Sequence, residues 1–148
     1  MRTRHSRSNS ILYLLERTLR QSRGYLQQTF KRSGSPVSVD QWLILQQIKR
    51  TPAISLQEVA AATAKDPASV TRMIAQLEKK KLVKRKTNPA DRRGQNLFIS
   101  TNGEKALQKC AVGLAQYQKA VGKGISQDEL NLLKKVLDKL YENSGGRL

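Results

Sequence analysis

Residues 55–100 read SLQEVAAATAKDPASVTRMIAQLEKKKLVKRKTNPADRRGQNLFIS, and the periods inside this stretch decide the fold. Ser55, with Glu58 three residues later, is a capping box; it opens a short helix that turns Leu56, Val59 and Ala60 inward and ends near Thr63. After a brief turn Asp66 caps a second helix, with Pro67 at its first position, where a missing N–H costs nothing. Val70, Ile74 and Leu77 share one face of this helix, which stops near Lys81. The period then changes to two. Leu82 to Thr87 and Gln95 to Ser100 read as strands around the turn Asn88-Pro89-Ala90-Asp91, with Gly94 beyond it, and predict a hairpin.

Working outward, Trp42, Leu45 and Ile48 recur at i+3 behind the capping box Ser38–Gln41, and Thr51-Pro52 ends that helix. Upstream, Ile11, Leu15, Leu19, Leu26 and Phe30 fall at i+4 steps, with Ser22 in the gap, and predict a long helix broken by Ser33-Gly34-Ser35-Pro36. Residues 1–8 are rich in Arg and Ser and free of acid; they read as a flexible basic arm, a composition shared with mitochondrial transit peptides. The apolar run Ile11 to Leu15 is too short for a secretory signal. Downstream, Leu107, Cys110, Leu114, Tyr117 and Val121 alternate steps of three and four, the spacing of a coiled-coil seam. Gly122 and Gly124 end this helix; Ser126 with Glu129 opens another, carrying Leu130, Leu133, Leu137 and Leu140 in the same alternation. There is no internal repeat. The expected fold is mainly α with a small β-hairpin, a single domain over residues 1–148.

Charge narrows the function. The 148 residues carry 28 Lys+Arg against 11 Asp+Glu, a net charge of +17. Its densest run, from Lys65 through Arg72 and Lys79 to Arg93, falls on the second helix of the pair and on the hairpin, where a merely solvated face would not need it. A polyanionic partner is therefore expected. One Cys excludes an internal disulfide and a multi-Cys metal site, and one His near the N-terminus leaves no Ser-His-Asp or Cys-His dyad for a folded core. Clustered carboxylates, a Gly-rich phosphate loop and metal-ligand spacing are also missing, so no enzyme activity, metal or cofactor is expected. No apolar run reaches the roughly 18–20 residues that span a bilayer, so no membrane role is expected either.

Two short helices joined by a tight turn and followed at once by a basic hairpin form the layout of a winged helix-turn-helix. Its second helix enters the major groove and its wing lies along the backbone or minor groove. The outer faces of that helix carry Ala68, Ser69, Thr71, Arg72 and Gln76, with Lys65 just before it. Small Ala68 and Ser69 permit close approach, Arg72 suits guanine O6 and N7, and Gln76 suits adenine. Ser69 lies in the first turn, where its hydroxyl and the backbone N–H groups face a phosphate. On the wing, Lys84, Lys86, Arg92 and Arg93 are the phosphate and minor-groove candidates. Asp91, the odd acid, either orients Arg93 or Arg72 or is a simple turn residue.

At these residues the chain resembles the MarR family of bacterial and archaeal transcription regulators. The likeness runs from Ala68-Ser69-Val70-Thr71-Arg72-Met73-Ile74 through Leu77-Glu78-Lys79-Lys80, Leu82-Val83-Lys84-Arg85 and Asn88-Pro89-Ala90-Asp91-Arg92-Arg93 to Ile99-Ser100-Thr101-Asn102-Gly103. The resemblance implies a homodimer of triangular outline, with dimerisation helices over residues 9–32 and 101–142 and a DNA-binding lobe over 37–100. It implies that Ser69, Thr71 and Arg72 are contact positions of the recognition helix and that Arg93, beside Arg92, is the wing arginine. Two departures stand out. Lys81 replaces the Gly common at the end of the recognition helix, placing a side chain in a left-handed conformation at a cost of about 1 kcal/mol. Ile99-Ser100 replaces the commoner Leu-Thr and keeps an apolar residue and a cap.

Family members sense small aromatic or phenolic anions in a cleft, and some sense oxidants through Cys. Tyr13, Arg17, Arg20 and Trp42 are the ligand-cleft candidates here, although Trp42 also reads as core. Cys110 lies on an apolar stripe and reads as a packing thiol rather than a sensor. The expected function is a cytoplasmic, nucleoid-associated, homodimeric repressor, released by a ligand from an imperfectly palindromic double-stranded operator. A non-specific or architectural nucleic-acid-binding protein is the alternative that charge alone would satisfy.

Overall fold

The computed structural model describes residues 10–90 and 94–147. Among the described residues, six helices and three short strands follow one another as α1 (Ile11–Arg32), α2 (Val39–Arg50), β1 (Ile54–Ser55), α3 (Leu56–Thr63), α4 (Pro67–Lys79), β2 (Val83–Thr87), β3 (Gln95–Ile99), α5 (Thr101–Val121) and α6 (Gln127–Asn143). Residues 1–8, expected as a basic arm, and Asp91, Arg92 and Arg93 lie outside the described residues. The chain divides into two compact units, Met1–Tyr117 and Gln118–Leu148.

The helix starts follow the caps. Ser38, Ser55 and Ser126 each accept the N–H of the residue three positions on, and Gln41, Glu58 and Glu129 each return a bond to the cap N–H, completing three capping boxes. Asp66 caps α4 with Pro67 at its first position, as its sequence predicts. Ala64 and Lys81 end the two helices of the pair in left-handed conformations, with φ of 51° and 58°. No Gly occupies either position, so each holds about 1 kcal/mol of steric strain.

In the first unit the core is built from Phe30 of α1, Ile44, Leu45 and Ile48 of α2, Val59 of α3, Val70, Ile74 and Leu77 of α4, Leu97 of β3 and Cys110 of α5, all buried. The inward face expected for α4 is the one observed. The sheet is antiparallel, in the order β1-β3-β2. Val83 pairs with Ile99 and Thr87 with Gln95 in the hairpin, while Ile54 pairs with Leu97 to add the strand β1, which alternation could not reveal in two residues. Ser100 joins the hairpin to α5: its N–H donates to Leu82 O, its hydroxyl donates to Lys81 O and accepts the N–H of Gly103. A β-carbon on Gly103 would fall 2.2 Å from Leu82 O, so α5 starts directly against the strand backbone.

The long helices are only partly covered. In α1, Leu26, Thr29 and Phe30 are buried, whereas Ile11, Leu15 and Leu19 of the predicted apolar face are exposed, as is Leu12 outside it. The α5 seam is buried at Leu107 and Cys110, half-buried at Leu114 and Tyr117, and exposed at Val121. In the second unit α6 buries none of its residues, and Leu132, Leu133, Val136, Leu137 and Tyr141 are exposed. Among the described residues no helix is long and apolar enough to cross a membrane.

Candidate nucleic-acid interface

Helix α4 presents its predicted reading face. At about 100° per residue, positions 69, 72 and 76 fall within an arc of about 60°, away from the buried Val70, Ile74 and Leu77. Arg72 is exposed, and its Nη2 donates to Ser69 Oγ at 3.1 Å, so the two side chains form one polar unit. The Ser69 hydroxyl accepts from Arg72 and keeps its own proton for a phosphate. The Ser69 N–H, read in sequence as a phosphate donor, instead donates to Asp66 Oδ1 at 2.8 Å, because the cap satisfies it first. Hydrogen bonding from Ser69 holds the Asp66 carboxyl below its ordinary range. Thr71 donates its hydroxyl to Pro67 O at 2.8 Å, and Ala68 is exposed beside it.

Two other candidates on and before α4 are held by the protein. Gln76 Oε1 accepts from Gln41 Nε2 at 2.8 Å, so one half of its amide faces α2. Lys65 is largely buried along its side chain and lies 2.5 Å from Asp40 Oδ1, which also pairs with Arg23 of α1. The Lys65 ammonium is thus held against Asp40 of α2 and is not among the outward cations of α4. Burial would raise the Asp40 carboxyl, but the hydrogen bonds and charges of Lys65 and Arg23 outweigh it and hold that carboxyl below its ordinary range.

The wing sorts its cations by strand alternation. Lys84 and Lys86 are exposed on one face of β2, where Lys86 Nζ stands 5.2 Å from the centre of the Phe98 ring. Arg85, on the other face, donates Nε and Nη2 to the two oxygens of Glu78 at 3.1 and 2.7 Å, and Nη1 to Gln95 Oε1 at 2.9 Å. This bidentate pair braces the wing against α4. Lys80 is held similarly, by Pro36 O at 2.8 Å and Gln41 Oε1 at 3.2 Å. Sequence reasoning missed the tertiary roles of Asp40, Gln41 and Glu78 because their partners lie 17 to 39 residues away or across the wing. At the tip Asn88 N–H donates to Gly94 O, and Asn88 Oδ1 accepts the N–H of Ala90. Asp91, Arg92 and Arg93 would follow, outside the described residues.

The four ligand-cleft candidates separate. Arg17 lies 5.7 Å from the Tyr13 ring centre on exposed α1 and lines an open groove of about 420 Å³ with Thr18, Gln21 and Ser22. Arg20 is exposed on the same helix, while Trp42 packs edge-to-face on Phe30 at 5.7 Å, the core role its sequence also allowed. Cys110 is fully buried, with Sγ 3.2 Å from Ser35 Oγ. Burial raises its thiol above the ordinary value, against a smaller lowering by Ser35. Among the described residues no cluster of His, Cys, Asp or Glu could hold a metal ion.

Comparison with known proteins agrees with this fold. Residues 37–94 match the MarR family. An HTH-type transcriptional regulator of Bacillus subtilis (strain 168), YhbI, of uncharacterized function, is 29% identical over 110 residues, spanning 74% of this chain and 71% of that protein. A protein of Thauera aromatica assigned to regulation of the hcr operon is 31% identical over 98 residues, spanning 66% of this chain and 59% of its own length. Among solved structures, Bordetella bronchiseptica BpsR, whose DNA binding is regulated by 6-hydroxynicotinic acid, superposes with a TM-score of 0.84 at 25% identity, over 93% of this chain and 97% of that one. A mutant MarR from E. coli complexed with operator DNA shares the fold with a TM-score of 0.79 at 24% identity, over 86% of this chain and 90% of that one.

Proposed function

Because the chain carries a MarR family domain, matched over residues 37–94 and set in a MarR-type winged-helix fold, we propose that this DNA-binding regulator acts as a homodimeric repressor released by a small aromatic or phenolic anion. The observation that carries the DNA-binding reading is the exposed Ser69–Arg72 unit on α4, beside a wing that presents Lys84 and Lys86. Arginine's planar fork matches guanine O6 and N7, and the wing lysines supply sequence-independent attraction to phosphate. The proposed contacts are Ala68, Ser69, Thr71 and Arg72 on the helix and Lys84 and Lys86 on the wing, with Arg92 and Arg93 beyond the described tip.

Dimerisation is supported by the apolar stripe of α6, whose Leu133 and Leu137 are exposed, and by the exposed Ile11, Leu15 and Leu19 of α1. A second copy of the chain would cover such faces. Two recognition helices about 34 Å apart then require an imperfectly palindromic operator. An anionic effector is supported by the Tyr13–Arg17 pair on α1, and BpsR, of the same fold, responds to a hydroxylated aromatic acid.

Genomic footprinting of the purified chain, followed by titration of the selected duplex and a random duplex at about 0.15 M salt, tests the reading. Preference for the selected duplex by at least about 10³-fold is expected. A ratio near one would establish the non-specific, architectural alternative. Release of the selected duplex by simple aromatic carboxylates or phenols, weakened in Arg17→Ala, is the expected effector response; no release by any of them would overturn that part.

A further inference from the structure

The chemistry around Gln76 fixes which half of its side-chain amide faces outward. Gln41 is buried, and its Oε1 lies within reach of two groups that only donate: the Ser38 N–H at 3.3 Å and the Lys80 ammonium at 3.2 Å. A flipped Gln41 would turn its NH₂ towards both, leaving three donor groups and no acceptor between them. The orientation is therefore dictated, and Gln41 Nε2 is the atom that meets Gln76. It donates to Gln76 Oε1 at 2.8 Å, so the carbonyl of Gln76 faces α2 and its NH₂ faces away. Gln76 is exposed and shares the reading face of α4 with Ser69 and Arg72.

Bidentate reading of adenine needs both ends of the amide: a donor to N7 and an acceptor for N6–H. With the carbonyl turned towards Gln41 on α2, the NH₂ is the end of the amide presented to a base. We propose that Gln76 is a donor-only reader, held by Gln41 to select the N7 and O6 acceptors of guanine, which corrects its sequence assignment to adenine. This rests on the DNA-binding reading of α4. Gln41 is then a positioning residue for base choice, acting from helix α2 without touching DNA.

The variant Gln41→Glu tests the assignment. A glutamate at this position keeps the capping box with Ser38 and can still receive the Lys80 ammonium. It cannot donate to Gln76, so the Gln76 amide must turn and give its NH₂ to the new carboxylate, presenting its carbonyl outward. Base preferences are read by selecting duplexes from a randomised pool with the full chain, for wild type, Gln41→Glu, Gln76→Ala and the double variant. Wild type is expected to favour guanine by about fivefold at one position per half-site, the ratio equivalent to about 1 kcal/mol for one net hydrogen bond. Gln76→Ala should flatten that position alone. Gln41→Glu should move its preference to a base offering an N–H, cytosine N4 or adenine N6, and the double variant should lose this new preference. The inference is overturned if Gln76→Ala changes no position, or if Gln41→Glu selects the same base as wild type. A wild-type chain that selects no motif at all would instead overturn the regulator reading itself.

Discussion

Replacing Gly103 by Ala probes the contact on which α5 is seated. The added β-carbon would stand 2.2 Å from Leu82 O and 2.7 Å from Ile99 Cγ1. The nearer neighbour is a backbone carbonyl that already accepts the Ser100 N–H at 3.0 Å, so it cannot retreat without weakening the hairpin-to-helix junction. Overpacking of this kind costs typically about 1–3 kcal/mol, and a clash with backbone belongs at the upper end. Alanine returns up to about 1 kcal/mol through helix propensity and a less free unfolded chain. The net expectation is a loss of about 2 kcal/mol, which for a chain of this size lowers Tm by about 4–8 °C. Thermal unfolding followed by circular dichroism, with wild type and variant at the same protein concentration, measures it. A Gly103→Ala chain as stable as wild type would refute the steric argument and, with it, the close seating of α5 on the strand.

Five further variants probe binding, chemistry and stability. Arg72→Ala should cost about 1–3 kcal/mol and relax selection at one base pair, whereas Lys84→Ala should weaken all duplexes alike and reduce the salt slope by about 0.9, both read from fluorescence anisotropy across a salt series. Because the Cys110 thiol is buried and its pKa raised, peroxide should leave DNA binding of wild type and Cys110→Ser equal, and native-state alkylation should be far slower than in denaturant. Asp40 has a depressed folded pKa, so its contribution to stability is fully present above the unfolded value of about 3.9 and is lost as pH falls through the folded value; the stability gap between wild type and Asp40→Asn should therefore close in acid urea titrations. Lys81→Gly removes a left-handed strain of about 1 kcal/mol but frees the unfolded chain, so a gain in urea midpoint of no more than about that energy is expected.

Local chemistry made much of this molecule legible before its structure. Ser38, Ser55, Asp66 and Ser126 announce helix starts because a cap is a contact within four residues, and Val70, Ile74 and Leu77 announce a face because helical periodicity is local too. The outward face of α4, the one proposed to read DNA, followed from the same periodicity. What stayed hidden depends on separation in sequence. Ile54 joins the sheet only because Leu97 passes beside it, and Asp40 gathers Arg23 and Lys65 from two other segments. The same limit affected individual assignments: Lys65 and Gln76 carry the right chemistry for DNA, but the partners that engage them sit on α2. Exposure of Leu15 and Leu19 shows the converse, since a periodic apolar face specifies that something covers it without saying which chain.

The inward-held cations bear on how such a protein finds a site. Lys65, Lys80 and Arg85 are each engaged by oxygen atoms of the protein itself. At a distance Lys80, held only by neutral oxygens, still counts in full within the net charge of +17 that favours approach to a duplex, whereas Asp40 and Glu78 offset the charges of Lys65 and Arg85. At contact, cations that keep these intramolecular partners would displace no ions from the phosphates. Attraction during approach and grip after landing are thereby separated. For the proposed DNA-binding role this arrangement predicts fast encounter with a duplex and brief residence on an unsuitable stretch, the condition for rapid scanning of a genome by a protein this basic.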